Sequence, residues 1–222
     1  MAAVAWALSD MPPLGAPADA AAERGPERSA RACTDIRSAG LLVLNAGCGR
    51  PTVLYVHAAN ETVADPLRPD VLTALAAAGY QVVMGDLCGP LNWGSPCAVE
   101  QLHALRQRFS PEAPVRVLAV SMGGAGLLNL ADTHPGDVLA AVGVVPVTTW
   151  DTPWLQEATA GALPPLPERA RFSYRILAAK ADEVVGPPVL RGRHVSVAEL
   201  PGTHDLWQQI DAATVVKAVR SS

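Results

Sequence analysis

The sequence predicts an α/β fold: a mostly parallel, doubly wound sheet with helices on both faces. Three observations carry this. Short apolar runs recur along most of the chain and are apolar throughout rather than alternating, as expected of strands covered on both faces. Stretches with helical spacing separate them, and strand–helix alternation of this kind implies parallel strands joined by crossover helices. The chain has 222 residues, half of them hydrophobic and only 17% charged. That suits one domain with a single sizeable core and argues against disorder over most of its length.

The elements follow in order. Residues 1–38 are rich in Ala, Pro, Arg and Glu without sustained periodicity and are expected to form a loosely ordered lead-in, with one domain over 39–222. LLVL (41–44) is an early strand, and TVLYVHA (52–58) is a continuous apolar strand of β-branched and aromatic character. DVLTALAAAGY (70–80) has helical spacing with a stop at Gly79. QVVMGD (81–86) is a strand, VEQLHALRQRF (99–109) a helix closed by Pro111, and VRVLAV (115–120) a strand leading into a helix, MGGAGLLNLADTH (122–134). VLAAVGVVPV (138–147), SYRILAAK (173–180) and HVSVAEL (194–200) are further strands, and AATVVKAVR (212–220) is a closing helix.

Composition excludes several classes. The net charge of -4 lacks the basic footprint that nucleic-acid binding needs, and the N-terminal arginines (Arg24, Arg28, Arg31, Arg37) are interleaved with Glu23, Glu27 and Asp35. No apolar run reaches the ~18 residues of a membrane helix. The opening MAAVAWAL lacks a basic n-region and is followed soon by acidic Asp10, which reads against a signal peptide. No internal repeat is visible. Cys33, Cys48, Cys88 and Cys97 form no CxxC pair or zinc-type cluster. They read as free thiols in a reducing compartment, hence a cytoplasmic location, with a Cys88–Cys97 loop disulfide as the alternative.

In open α/β sheets, chemistry gathers beyond the carboxyl ends of the strands. The strand at 115–120 runs into Ala119-Val120-Ser121-Met122-Gly123-Gly124 and then a helix. Ser121 lies at the sharp turn, flanked by small residues two positions before and after, where bulky side chains would collide. A helix N-terminus beside it offers free N–H groups to developing negative charge. The alternative is an ordinary N-capping serine. AVSMGG resembles the nucleophile elbow, G-x-S-x-G, of the α/β-hydrolases, with Ala119 in place of the first Gly. Looser likenesses, in GDL…NWG and VGVVPV, are to small hydrolases of actinobacteria and their phages.

The family's chain order is Ser, then Asp or Glu, then His. His134 closes the helix that starts at Ser121, roughly 20 Å away at ~1.5 Å per residue, and His194 begins a strand. His204 follows the strand HVSVAEL through Pro201-Gly202-Thr203, and Gly-Thr-His-Asp resembles the family's catalytic-histidine loop. The resemblance places the triad acid just past SYRILAAK, at Asp182, with Glu183 as runner-up; Asp182 would fix the His204 tautomer and stabilise its imidazolium.

The resemblance also implies two oxyanion donors, the Met122 N–H and one from the loop after TVLYVH. That loop reads His57-Ala58-Ala59-Asn60 where the family often has His-Gly-x. Ala59 is the expected donor and Ala58 the alternative. His57 and Asp86, the latter followed by Gly89 and Gly94-Ser95, are read as structural. The segment at about 148–172 would be a short cap, with Trp150 and Trp154 as an acyl-binding wall or as plain core. The implied activity is ester hydrolysis by Ser121, Asp182 and His204 on a small-molecule or lipid-like substrate, without metal or cofactor. An acyltransferase or a catalytically silent binding module on the same fold are the alternatives.

Overall fold

The computed structural model describes residues 33–159, 163 and 165–222. The expected lead-in, and with it the N-terminal apolar octet, falls outside the described residues as far as residue 32; so do residues 160–162 and 164 of the expected cap. The strands are β1 (Thr34–Ser38), β2 (Leu41–Ala46), β3 (Thr52–Val56), β4 (Gln81–Gly85), β5 (Val115–Val120), β6 (Val138–Val144), β7 (Ser173–Ala179) and β8 (Val195–Leu200). The helices are α1 (Pro69–Ala77), α2 (Pro96–Phe109), α3 (Gly123–Thr133), α4 (Pro153–Thr159), α5 (Leu206–Gln209) and α6 (Ala212–Ser221).

All the strands join one sheet in the order β1-β2-β4-β3-β5-β6-β7-β8. The pairs from β4 through β8 are parallel, and only β1–β2 and β2–β4 are antiparallel. The fold class expected from the sequence is therefore the one observed. β3 lies between β4 and β5, so the chain leaves it to one side and later crosses to the other. The crevice that such a switch opens sits at the carboxyl ends of β3 and β5. Every residue of β3 and β4 is buried, which is why their sequences are apolar without alternation.

Three differences from the sequence reading have local causes. α2 starts at Pro96, three residues early, because Ser95 Oγ accepts from the Ala98 N–H at 3.3 Å and Pro96 suits a first turn. The run 138–147 is not one strand: Val145 turns to φ +43°, its N–H donates to Leu177 O at 2.9 Å, and Val147 N–H donates to Ser121 O at 2.8 Å. The segment after β6 thus leaves the sheet to brace the turn that carries Ser121. β1, placed with the lead-in by its polar sequence TDIRS, is a mostly exposed edge strand, where no apolar pattern is required.

The free-thiol expectation is corrected. Cys33 is bridged to Cys48 and Cys88 to Cys97, closing separations of 15 and 9 residues. The first bridge ties the entry to β1 to the turn after β2. The second clamps the loop between β4 and α2. Among the described residues no helix is long and apolar enough to cross a membrane.

Candidate functional site

Ser121 occupies the turn between β5 and α3 at φ +48°, a left-handed conformation unusual for a residue with a side chain. The turn is held by close packing. A methyl on Gly123 would overlap the Val56 carbonyl, and one on Gly124 would stand 2.6 Å from Val147 O. Ala119 fits without exposure between Val56 of β3 and Gly143 of β6. The strain is thus fixed by neighbours on both sides rather than by the turn alone.

Ser121 Oγ lies 2.9 Å from His204 Nε2. His204 stands on the loop between β8 and α5, and its Nδ1 lies 3.0 and 3.2 Å from the two carboxylate oxygens of Asp182, on the loop after β7. Asp182 Oδ1 also accepts the N–H groups of Val184 and Val185, each at 3.0 Å. Burial pushes the Asp182 carboxyl up; hydrogen bonds from His204, Val185 and Val184 and the attraction of His204 outweigh it, so the net shift is downward. Glu183 is exposed, and His134 and His194 are elsewhere. The three side chains named from the sequence therefore form one continuous hydrogen-bonded chain, oriented so that His204 can accept a proton from Ser121 at one nitrogen while Asp182 holds the other.

The loop after β3 is ordered by polar contacts that its sequence did not announce. Glu61 is fully buried and accepts from Tyr55 OH (2.8 and 3.0 Å), Ala58 N–H (3.0 Å) and Leu67 N–H (2.9 Å). Asn60 N–H donates to Pro90 O at 2.8 Å. Of three successive amides, those of Ala58 and Asn60 are thus engaged, while Ala59 N–H meets no acceptor among the described residues; nor does Met122 N–H. Burial raises the Glu61 pKa against the lowering effect of its hydrogen bonds from Tyr55, Ala58 and Leu67. Burial, with the adjacent Glu61 charge, lifts Tyr55 well above the usual phenol value. His57, unexposed, bonds Ala58 O through Nδ1 at 2.7 Å and faces Asp86 O and Asn92 through Nε2, each at 3.4 Å. Asp86 Oδ1 accepts Val63 N–H at 2.6 Å. Both residues hold loops, as their sequence reading has it.

A cavity of about 240 Å³ is lined by Ser121, His204 and Ala59, with Leu67, Trp93, Trp154 and Trp207 among its other lining residues. Trp150 does not line it; it packs edge-on against Trp93, with ring centres 6.4 Å apart. Of the Trp pair singled out in the sequence, one is therefore wall and the other support. Trp93 and Trp207 are wall residues the sequence reading missed, since neither lies in the cap segment.

Among the described residues one group offers metal-type donors: His103, His134 and Asp137, whose ligand atoms all lie within 4.8 Å of one another. Two of the three are engaged with each other and with Arg106. His103 Nδ1 meets Asp137 Oδ2 at 2.6 Å, and Arg106 Nε stands 3.3 Å from the other oxygen. The two rings stack at 3.8 Å and 10°, so their nitrogen lone pairs lie in near-parallel planes.

A family model described as alpha/beta hydrolase fold matches residues 51–165, just over half of the chain. Among solved structures, the chain is similar to a monoacylglycerol lipase from Paleococcus ferrophilus, at 15% identity and TM-score 0.60, covering 78% of this chain and 96% of that one. It is also similar to 2-hydroxy-6-oxo-6-phenylhexa-2,4-dienoate hydrolase from Rhodococcus sp. strain RHA1, at 14% identity and TM-score 0.61, covering 82% and 94%. A thioesterase domain from the curacin biosynthetic pathway matches at 14% identity and TM-score 0.59, covering 85% and 99%. A search of curated protein sequences finds no match.

Proposed function

The chain belongs to the α/β-hydrolase family, and from that premise we propose that it is a serine hydrolase cleaving carboxylic esters through an acyl-enzyme on Ser121. The observation that carries the reading is the hydrogen-bonded chain from Ser121 through His204 to Asp182. Ser121 Oγ attacks the ester carbonyl carbon while His204 Nε2 takes its proton. Asp182 stabilises the imidazolium that forms. The carbonyl oxygen, now an oxyanion, is held by the N–H groups of Met122 and Ala59. Collapse breaks the bond to the alcohol oxygen, which leaves with the proton from His204. Water then repeats the sequence on the acyl-enzyme, returning the carboxylic acid and free Ser121.

Two free amides beside a strained nucleophile support the oxyanion assignment, since donors already in place cost no reorganisation when charge develops on the carbonyl oxygen. The commitment of Ala58 N–H to Glu61 favours Ala59 over Ala58. The cavity is smaller than the ~300–1,000 Å³ of most ligand sites, which favours short or slender acyl groups along the tryptophan wall. Two disulfides favour an oxidising compartment over the cytoplasm.

The test is a p-nitrophenyl ester series together with fluorophosphonate labelling. Ser121→Ala is expected to lose both turnover and label, and the unaltered protein to lose activity as the acyl chain lengthens. Labelling that survives in Ser121→Ala would sink the assignment.

A further inference from the structure

At the amino ends of β7 and β8, the end of the sheet opposite Ser121, four arginines line a single open cleft of about 680 Å³: Arg169, Arg171, Arg191 and Arg193. Their two segments are joined as a short parallel bridge pairing Arg169 with Arg191. Ala170 N–H donates to Arg191 O at 3.0 Å and Arg191 N–H to Glu168 O at 2.9 Å. Gly192 permits the approach, since a side chain there would stand 2.9 Å from Ala170 O. Backbone hydrogen bonds therefore hold like charges side by side, an arrangement that is destabilising in a paired strand unless something opposes it.

No ion pair opposes it among the described residues. The cleft contains two carboxylates, Asp132 and Glu168, yet none of the four guanidinium groups makes an ion pair or hydrogen bond among the described residues. All four arginines are exposed, in a chain whose net charge is -4. The positive potential is thus a local feature and not the overflow of a basic protein. Guanidinium forks bind tetrahedral oxyanions through paired, charge-assisted hydrogen bonds. Four of them, less two nearby carboxylates, call for a ligand with at least two negative charges. The size of the cleft calls for more than one phosphate-sized group. Its limited extent fits a compact small molecule better than a bilayer or a nucleic-acid strand.

We propose that this cleft is a binding site for a compact oligophosphate-type anion, one carrying two or more linked phosphoryl groups, separate from the site at Ser121. The probe is inorganic tripolyphosphate, measured by calorimetry at low salt against inorganic phosphate, phosphatidylserine vesicles and a single-stranded oligonucleotide. Tripolyphosphate is expected to bind at one site, more tightly than phosphate, and to weaken as salt screens the contact. Arg171→Gln with Arg193→Gln should weaken it by about tenfold or more, as expected for lost charged hydrogen bonds, and leave p-nitrophenyl ester turnover unchanged. In the unaltered protein, hydrogen exchange should slow in segments 168–171 and 191–193 when tripolyphosphate is added, a readout that needs no variant. Equal affinity in wild type and variant, protection elsewhere, or binding to vesicles or oligonucleotide without binding to tripolyphosphate would each overturn the proposal.

Discussion

The turn at Ser121 and the loop after β3 face each other across one cavity but are held by different means. The turn is held by shape. Gly123 and Gly124 admit the carbonyls of Val56 and Val147, and Ala119 fills its place between two strands. The loop is held by charge and hydrogen bonds: a buried carboxylate, Glu61, gathers two amides and a phenol, and His57 ties the loop to its neighbours. Close packing tolerates almost no change of volume, whereas a buried polar network fails when one partner is lost. The two halves of the proposed machinery should therefore break differently.

The largest effect is expected at the turn. Gly123→Val should abolish turnover and lower stability by about 3 kcal/mol or more, read as a fall in the urea midpoint; a variant with normal midpoint and activity would show that the turn is not close-packed. Next comes the loop. Glu61→Gln keeps the volume but removes the carboxylate that positions Ala58 and, through it, Ala59. It should lower kcat by about tenfold to a hundredfold, the scale of a misplaced catalytic contact, with KM little changed. An equal rise in KM would instead mark Glu61 as part of the substrate wall.

A smaller effect concerns pH. The folded pKa of Asp182 lies below its unfolded value. Its contribution to stability is therefore complete above the unfolded carboxyl pKa of about 3.9 and is lost as pH falls through the folded one. Denaturation of wild type and Asp182→Asn across pH should give a constant stability difference at neutral pH that shrinks only below about pH 4. A difference that already shrinks near neutrality would contradict the downward shift. The smallest effect belongs to Ala119→Gly, which restores the usual family residue. Activity should stay within about twofold, with a cost of roughly 0.5–1 kcal/mol for glycine in a strand. A tenfold gain would mean that the turn, and not the loop, limits the reaction.

The same contrast explains what the sequence disclosed. The Ser121 turn was legible because its requirements are local: small residues at fixed offsets between a strand and a helix. His204 was narrowed by its place on a loop after a strand, and Asp182 came from the resemblance, which places the acid just past SYRILAAK. Glu61 was not legible, because a lone acid in the polar run Asn60-Glu61-Thr62 looks like solvated loop until Tyr55 is known to point at it. Trp93 and Trp207 joined the cavity through folding of distant segments, and no local pattern marks them. The Cys33–Cys48 bridge escaped notice because β1 carries no apolar signature, so nothing placed Cys33 beside the sheet.

The Cys88–Cys97 bridge closes a loop in which Cys88 and Trp93 take left-handed backbone conformations, at φ +65° and +47°, directly after Leu87 at φ +48°. Such conformations persist only where the surroundings over-determine them, and the bridge is one of those surroundings. If Ser121 acts on esters as proposed, the catalytic quality of a preparation would then depend on its history. Protein matured in a reducing host, or stored with thiols, would keep Ser121 and still take the fluorophosphonate label, yet present a slack Trp93 wall to the ester. Active-site titration and turnover would disagree about how much enzyme is in the tube.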